Sequence, residues 1–386
     1  MQPVYLDNSA TTPVDPRIVE EMLPFFTEVF GNASSIHTFG QQARAAVEDA
    51  REKLADLVGA NARELVFTSG GTEADNTALR GVALQFGEKG KHIITTQIEH
   101  PAILSTCRAL EAEGFQVSYL PVDSTGLVDL ERLTEAITPQ TIMISVMNAN
   151  NEIGTIQHLA EICALAHERG ILVHSDCVQS LGKIAINLKQ LPLDLASFSG
   201  HKIHAPKGIG ALFVRKNVRF KPFMLGGTHE RKRRAGTENV SAIVGFGKAA
   251  ELAAQYMPEM STRVKDLRDR LESNLLQIPG AIRNGHPVYR VPNICNLSFD
   301  HTEGEGLLIS LDLEGIAVST GAACSSGSLE PSHVLVALGR DKRDVHGSLR
   351  FSFSRMNTDE DVNRVLEVLP PIVERMRAMS PSYSAD

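Results

Sequence analysis

Asp194-Leu-Ala-Ser-Phe-Ser-Gly-His-Lys202 runs from a short apolar stretch through a polar turn to a lysine. Leu195 to Phe198 reads as a buried strand, Ser199-Gly200-His201 lets the backbone turn, and Lys202 stands at the strand's end. Desolvation at such a position disfavours the ammonium, which suits an amine that attacks a carbonyl to form a Schiff base. A second lysine, Lys207, follows just before Gly208 and Gly210. A lysine that only caps a strand at the surface reads the same way locally, so the rest of the chain decides. On either side of this strand, apolar runs recur at Leu65–Phe67, His92–Thr95, Val117–Leu120, Ile142–Met147, Ile171–His174 and Ala211–Val214. Helical patterns fill most of the gaps, such as Leu159, Ile162 and Ala166 ending at Gly170. This alternation predicts an α/β fold, a mostly parallel sheet covered by helices on both faces. Ligands of such sheets bind at the carboxyl ends of the strands.

Near residue 258 the texture changes. A long amphipathic helix is expected, with Ser261 or Thr262 as its cap and Val264, Leu267, Leu271 and Leu275 inside, stopping at Pro279-Gly280. Shorter strands follow at Asn293–Phe299, Ile316–Val318 and Ser348–Phe353, the mark of a smaller α+β domain. The expected division is a large domain, 15–258, and a small one made of 1–14 and 259–386. A formal charge of −8 argues against nucleic-acid binding, and the one basic run, His229 to Arg234, is too short to reverse that. The start Met1-Gln-Pro-Val-Tyr-Leu-Asp7 lacks the pattern of a signal peptide, and no apolar stretch is long enough for a membrane span. Five scattered cysteines without a C-x-x-C pair fit free thiols in a reducing cytoplasm and give no local metal site.

Each predicted strand end carries chemistry. Ser175-Asp176 follows one strand, with Gln179 three residues on; a carboxylate there suits the ring nitrogen of pyridoxal phosphate, or simply caps a helix. Thr68-Ser-Gly-Gly-Thr-Glu-Ala-Asp-Asn76 enters a helix with glycines and a hydroxyl, which reads as a phosphate cradle or a plain turn. Glu99-His100-Pro101 offers an imidazole to stack on a ring or to cap a helix. Asn148 to Gly154 offers Asn151 as an amide donor, or forms a turn.

Taken together, Asp7-Asn-Ser-Ala-Thr-Thr12, Ser69-Gly-Gly-Thr-Glu-Ala-Asp-Asn76, Glu99-His-Pro101, Asn150-Asn-Glu-Ile-Gly154, Ser175-Asp-Cys-Val-Gln179 and Ser199-Gly-His-Lys202 resemble, in order, the motifs of NifS/IscS-like cysteine desulfurases. These belong to the class V aminotransferase group of pyridoxal-phosphate enzymes, fold type I. The resemblance implies that pyridoxal 5'-phosphate is held by Lys202, stacked by His100, and contacted by Asp176, Gln179 and Asn151. Gly71, Thr72, Ser199 and His201 would hold its phosphate, with Thr237 reaching from a second subunit of a homodimer. Arg350, with Asn8 or Asn151, would orient the carboxylate of L-cysteine. Ser319-Thr-Gly-Ala-Ala-Cys324-Ser-Ser-Gly-Ser-Leu-Glu-Pro-Ser-His333 is similar to the family's longer loop bearing the persulfide-forming cysteine. Alanine would leave, and the Cys324 persulfide would pass its sulfur to an iron–sulfur scaffold or another acceptor, touching a cluster only transiently. Selenocysteine cleavage and another aminotransferase-like reaction are the alternatives. Segments 229–239 and 303–333 lie nearest the nitrogen-fixation type. Cys177 departs from the small residue the family usually has, while Cys107, Cys163 and Cys295 read as core fillers.

Overall fold

The computed structural model describes residues 3–320, 331–340 and 345–380. Its strands are β1 (Val4–Tyr5), β2 (Leu65–Thr68), β3 (His92–Thr96), β4 (Gln116–Leu120), β5 (Thr141–Ser145), β6 (Leu172–Asp176), β7 (Leu195–Ser199), β8 (Gly210–Val214), β9 (Ala281–Arg283), β10 (Ile294–Phe299), β11 (Ile316–Ala317) and β12 (Ser348–Ser352). Seven form the main sheet in the order β2-β8-β7-β6-β5-β3-β4. All its pairs are parallel except those of β8, which runs against both β2 and β7.

Alternation along each strand sorts side chains between two helical layers. Phe67, Ile94, Ile144 and Phe213 join a cluster with Val47, Leu54, Ile243 and Phe246 from the helices Thr38–Val58 and Val240–Glu259. Their neighbours Val66, Ile93, Met143 and Leu212 face the other way, onto Leu79, Val82, Ile103 and Leu110 of Gly71–Phe86 and Pro101–Ala112. Burial on both faces is why these strands read as continuous apolar runs rather than alternating ones. The reversed strand β8 needs glycine where it passes the loop that follows β2. A side chain at Gly210 would come within 2.6 Å of the Gly70 backbone and of the Phe198 carbonyl.

A second core lies around an antiparallel sheet, β12-β10-β9. Cys295, Leu297, Leu349 and Phe351 pack there with Leu267 and Leu271 of Lys265–Leu275 and Val365 and Leu369 of Asp359–Met379. Val4 and Leu6 join the same core, because β1 pairs in parallel with β11. The helix break expected at Ser261 or Thr262 is absent. Helix Val240–Glu259 runs through a π-turn, Met260–Val264, directly into Lys265–Leu275. The hydroxyls of Ser261 and Thr262 both donate to the Pro258 carbonyl at 2.9 Å, so the residues that looked like a cap instead serve a carbonyl at the π-turn.

One strained segment is held from the sheet. Glu230, Arg231 and Lys232 have φ of 45, 57 and 68°, a left-handed turn built without glycine. The Glu230 carboxylate accepts from Arg51 Nη1 and Nη2 at 2.7 and 2.8 Å and from the Phe67 backbone N–H at 3.0 Å. Both side chains are about 5 % exposed. Glu230→Ala would leave the buried Arg51 guanidinium with only Glu48, 3.5 Å from its Nε, as counter-charge among the described residues, and would free the turn. It is expected to lower the unfolding free energy by about 3–5 kcal/mol, measured by urea titration; a loss under ~1 kcal/mol would mean that the turn is held by something else.

Candidate active site

The carboxyl ends of β2, β3, β5, β6 and β7 all open toward one region, and the segment Asp7 to Thr12 lies across it. Lys202 follows β7 in a single 3-10 turn, Gly200–Lys202. Its Nζ donates to the carbonyls of Ser9 and Ala10 at 2.5 and 2.7 Å. The lysine is half-buried rather than sealed off, so the desolvation expected from its strand-end position is only partial.

Asp176 ends β6 and is 6 % exposed. Its Oδ1 accepts from the Val178 N–H at 2.9 Å, so the carboxylate does cap the following turn while its charge stays in the site. Polar atoms of Asp176, His100 and Asp75 lie within 4.8 Å of one another. Burial raises the Asp176 carboxyl above the usual range, while His100 and Lys202 pull it back down. Asp75 is pushed well above it, by burial first and then by the charge of Asp176. Two buried carboxylates this close do not both ionise freely.

His100 is at once an N-cap and a site residue. Its Nδ1 accepts from the Ala102 N–H at 3.1 Å, which leaves the ring proton on Nε2. Burial lowers its pKa, against the pull of Asp176, and so favours the neutral ring. Behind it Glu99, fully buried, accepts from Thr96 Oγ1 and the Met147 N–H and is raised to about 8 by burial.

After β2 comes a helix start that no side chain caps, Gly70 preceding Gly71–Phe86. Gly71, Thr72, Ser199, His201 and Lys207 border a cleft of about 370 Å³. A Cβ on Gly71 would press on Val178 Cγ2 at 2.8 Å, so glycine keeps this wall open. First-turn N–H groups, two hydroxyl residues and a lysine around such a cleft are the donor set a phosphate needs. His201 Nδ1 meets Thr11 Oγ1 at 3.1 Å, and burial, then Lys202, lower its pKa to about 4. The lysine, the buried carboxylate and the cradle therefore fit pyridoxal phosphate chemically.

Other expected residues sit differently. Gln179 is spent inside the protein, its Nε2 on the Ser9 carbonyl at 3.0 Å and its Oε1 on Lys183 Nζ at 2.6 Å. Asn8 Nδ2 donates to the Ser352 carbonyl at 2.8 Å, so it ties the N-terminal segment to β12. Asn151 is 8 % exposed and contributes its carbonyl, which accepts from Arg350 Nη1 at 3.0 Å. Arg350 is 2 % exposed and its Nη2 also meets Asp7 Oδ1 at 2.7 Å. Thr237 is exposed and borders no part of the cleft in its own chain. Cys177 is fully buried, its thiol raised by that burial; Cys107 and Cys163 are pushed up to about 12 in the same way. Cys324 lies outside the described residues. No helix among those residues is long and apolar enough to cross a membrane.

Sequence reasoning missed the support behind Asp176. His174, buried and lowered to about 3 by desolvation, meets Ser145 and Ser197 through its two ring nitrogens at 2.9 Å each. Asp75 Oδ1 is 3.7 Å from His174 Nε2. The available signal was a carboxylate on the apolar face of a helix, beside Ala74, Ala78 and Leu79.

Residues 4–365 match the model of the class-V aminotransferase family. A cysteine desulfurase IscS of Methanosarcina thermophila is 54 % identical over 378 residues, 98 % of this chain and 94 % of that protein. A cysteine desulfurase of Nostoc sp. is 52 % identical over 382 residues, 99 % and 95 % of the two chains. Among solved structures, a NifS-like protein superposes with a TM-score of 0.92 at 40 % identity, covering 97 % of this chain and all of that one. The structure of SspA in complex with cysteine superposes at 0.82 with 34 % identity over 91 % of this chain and 98 % of its own.

Proposed function

The chain belongs to the class-V aminotransferase family, and from that premise we propose that it is a cysteine desulfurase that takes sulfur from L-cysteine onto Cys324, releases L-alanine and feeds iron–sulfur cluster assembly. The observation that carries this reading is that Asp176 and His100 stand close together, with Lys202 near enough for its charge to act on both, at carboxyl ends of one sheet that also carries a capless glycine helix start. Pyridoxal phosphate would be held by Lys202 at its aldehyde carbon and by Gly71, Thr72, Ser199, His201 and Thr237 of a second copy at its phosphate. When bound, it supplies an electron sink that loosens the bonds at the substrate's α- and β-carbons.

The remaining steps belong to the chain's own groups. Asp176 would offer a carboxylate to the ring nitrogen, and His100, close to Asp176 and with its proton on Nε2, would border the same region. Gln179, whose amide atoms are held by Ser9 and Lys183, and Asn151 would border the ring's hydroxyl side. Arg350 receives the substrate carboxylate, with Asn8 and Asn151 holding the segments around it. Lys202 moves protons between the substrate's carbons. The Cys324 thiolate attacks the substrate sulfur: a new S–S bond forms, the Cβ–S bond breaks, and a proton delivered at Cβ completes alanine. A homodimer working in the cytoplasm, with a scaffold protein as sulfur acceptor, completes the reading. We assign the cofactor to the unit 15–258 and the reactive cysteine to the unit formed by 1–14 and 259–386; the packing of Val4 and Leu6 with Leu271 and Phe351 supports that division.

The test is incubation with L-cysteine and a reductant, following alanine and sulfide. Cys324→Ala is expected to retain the cofactor's absorption and lose sulfide release by about two orders of magnitude or more. Undiminished sulfide from that variant would overturn the assignment of the nucleophile.

A further inference from the structure

Arg350 already holds a carboxylate. Its Nη2 donates to Asp7 Oδ1 at 2.7 Å and its Nη1 to the Asn151 carbonyl at 3.0 Å, while Nε has no hydrogen-bond partner among the described residues. The arginine side chain is 2 % exposed and that of Asp7 20 %. Backbone geometry builds this contact. Asp7 bridges in parallel to Ser352; the Ser352 N–H donates to the Leu6 carbonyl at 2.6 Å and the Asn8 N–H to the Ser352 carbonyl at 3.2 Å. Arg350 lies two residues before Ser352 on β12, so both point to the same face. Asp7 thus meets Arg350 on the diagonal between neighbouring strands, within reach of a long side chain.

We propose that Asp7 sets substrate affinity, as a built-in carboxylate that neutralises Arg350 in the empty site and opposes the carboxylate of an incoming ligand. The inference rests on reading Arg350 as the substrate-carboxylate receptor. A buried guanidinium without a counter-charge is costly, and Asp7 removes that cost before substrate arrives. Once a ligand carboxylate approaches, one guanidinium faces two carboxylates in a place poor in water, where like charges repel strongly. Simple carboxylates, with nothing else to offer, are held off by that repulsion. An amino acid gains further attachment through its thiol and through its amine, which would take the place of Lys202 at the cofactor's aldehyde carbon, and so overcomes it. Tyr5 supports the arrangement without competing for the carboxylate, since its hydroxyl donates to the backbone carbonyls of Asp7 and Thr11 at 3.1 and 2.9 Å.

The experiment uses the cofactor-loaded enzyme and two readouts: steady-state kinetics with L-cysteine, and calorimetric binding of 3-mercaptopropionate, which has the carboxylate and thiol without the amine. Asp7→Asn is expected to lower KM for cysteine and to tighten 3-mercaptopropionate, each roughly threefold to tenfold, with kcat changed less than KM. Asp7→Glu, which keeps the charge, should restore the parent values of both. If Asp7→Asn leaves both quantities unchanged or weakens them, Asp7 merely orients Arg350 and the proposal fails. Arg350→Gln separates the two levels of the argument. It should raise KM and remove 3-mercaptopropionate binding; if it does neither, Arg350 is not the receptor and both readings fall. Should Asp7→Asn not yield folded protein, Asp7→Ser is read by the same criteria.

Discussion

Lys202→Ala is expected to lower L-cysteine turnover by about 10³–10⁴-fold, because it removes both the anchor of the cofactor and the group that shuttles protons. The fold should survive. Lys202 Nζ donates to two backbone carbonyls, those of Ser9 and Ala10, and each such bond adds only about 1 kcal/mol to stability. Its stem is half-buried and outside the main apolar clusters. The loss should therefore appear in chemistry and cofactor linkage rather than in unfolding. Borohydride reduction offers a readout independent of turnover: in the parent it should fix the cofactor to the peptide containing Lys202, and in the variant no peptide should carry the label. Turnover within about tenfold of the parent would sink the assignment, as would a label found on Lys207 or Lys183.

Legibility in the sequence followed locality. The strands were readable because both faces are buried, so Ile93-Ile94 and Met143-Ile144 show as unbroken apolar runs whose neighbours point to opposite helical layers. The groups at their carboxyl ends were readable for the same reason, since turn residues punctuate each run. The reversal of β8 was not, because its pairing with β2 joins segments far apart in the chain. Ser261 and Thr262 read as a helix start because those residue types cap helices, and a π-turn uses their hydroxyls equally well, on the Pro258 carbonyl. Gln179 and Asn8 were recognisable as polar groups in family motifs, but their partners were not: one is spent on Ser9 and Lys183, the other on Ser352. The Asp7–Arg350 pair spans 343 residues and has no local signature at all. Asp75 did have one, a lone carboxylate on an apolar helix face, yet only the sheet beneath shows that it faces Asp176.

That pair of carboxyls makes the second large effect two-sided. Asp176→Asn keeps an oxygen to accept from the Val178 N–H and deletes the charge. Turnover is expected to fall by about 10²–10³-fold, since a fixed charge aimed at the ring nitrogen is lost. The cofactor-free protein is expected to become more stable at the same time. Burial raises both carboxyls above their ordinary values, and the charge of Asp176 raises Asp75 further. A carboxyl whose folded pKa exceeds its unfolded one withdraws stability as pH climbs from the unfolded value through the folded one, because the unfolded chain ionises first. The penalty is thus absent in acid, below the unfolded value, and present at pH 8. Asp176→Asn should raise the unfolding free energy of cofactor-free protein by about 1–3 kcal/mol at pH 8, with the gain shrinking toward pH 4. Urea titrations at the two pH values measure it. A variant less stable than its parent at pH 8 would mean that His100 and Lys202 already compensate Asp176 in the empty site. A gain in stability with the loss of turnover would instead show the site holding a charge that the fold alone does not favour, kept for the ring nitrogen it faces.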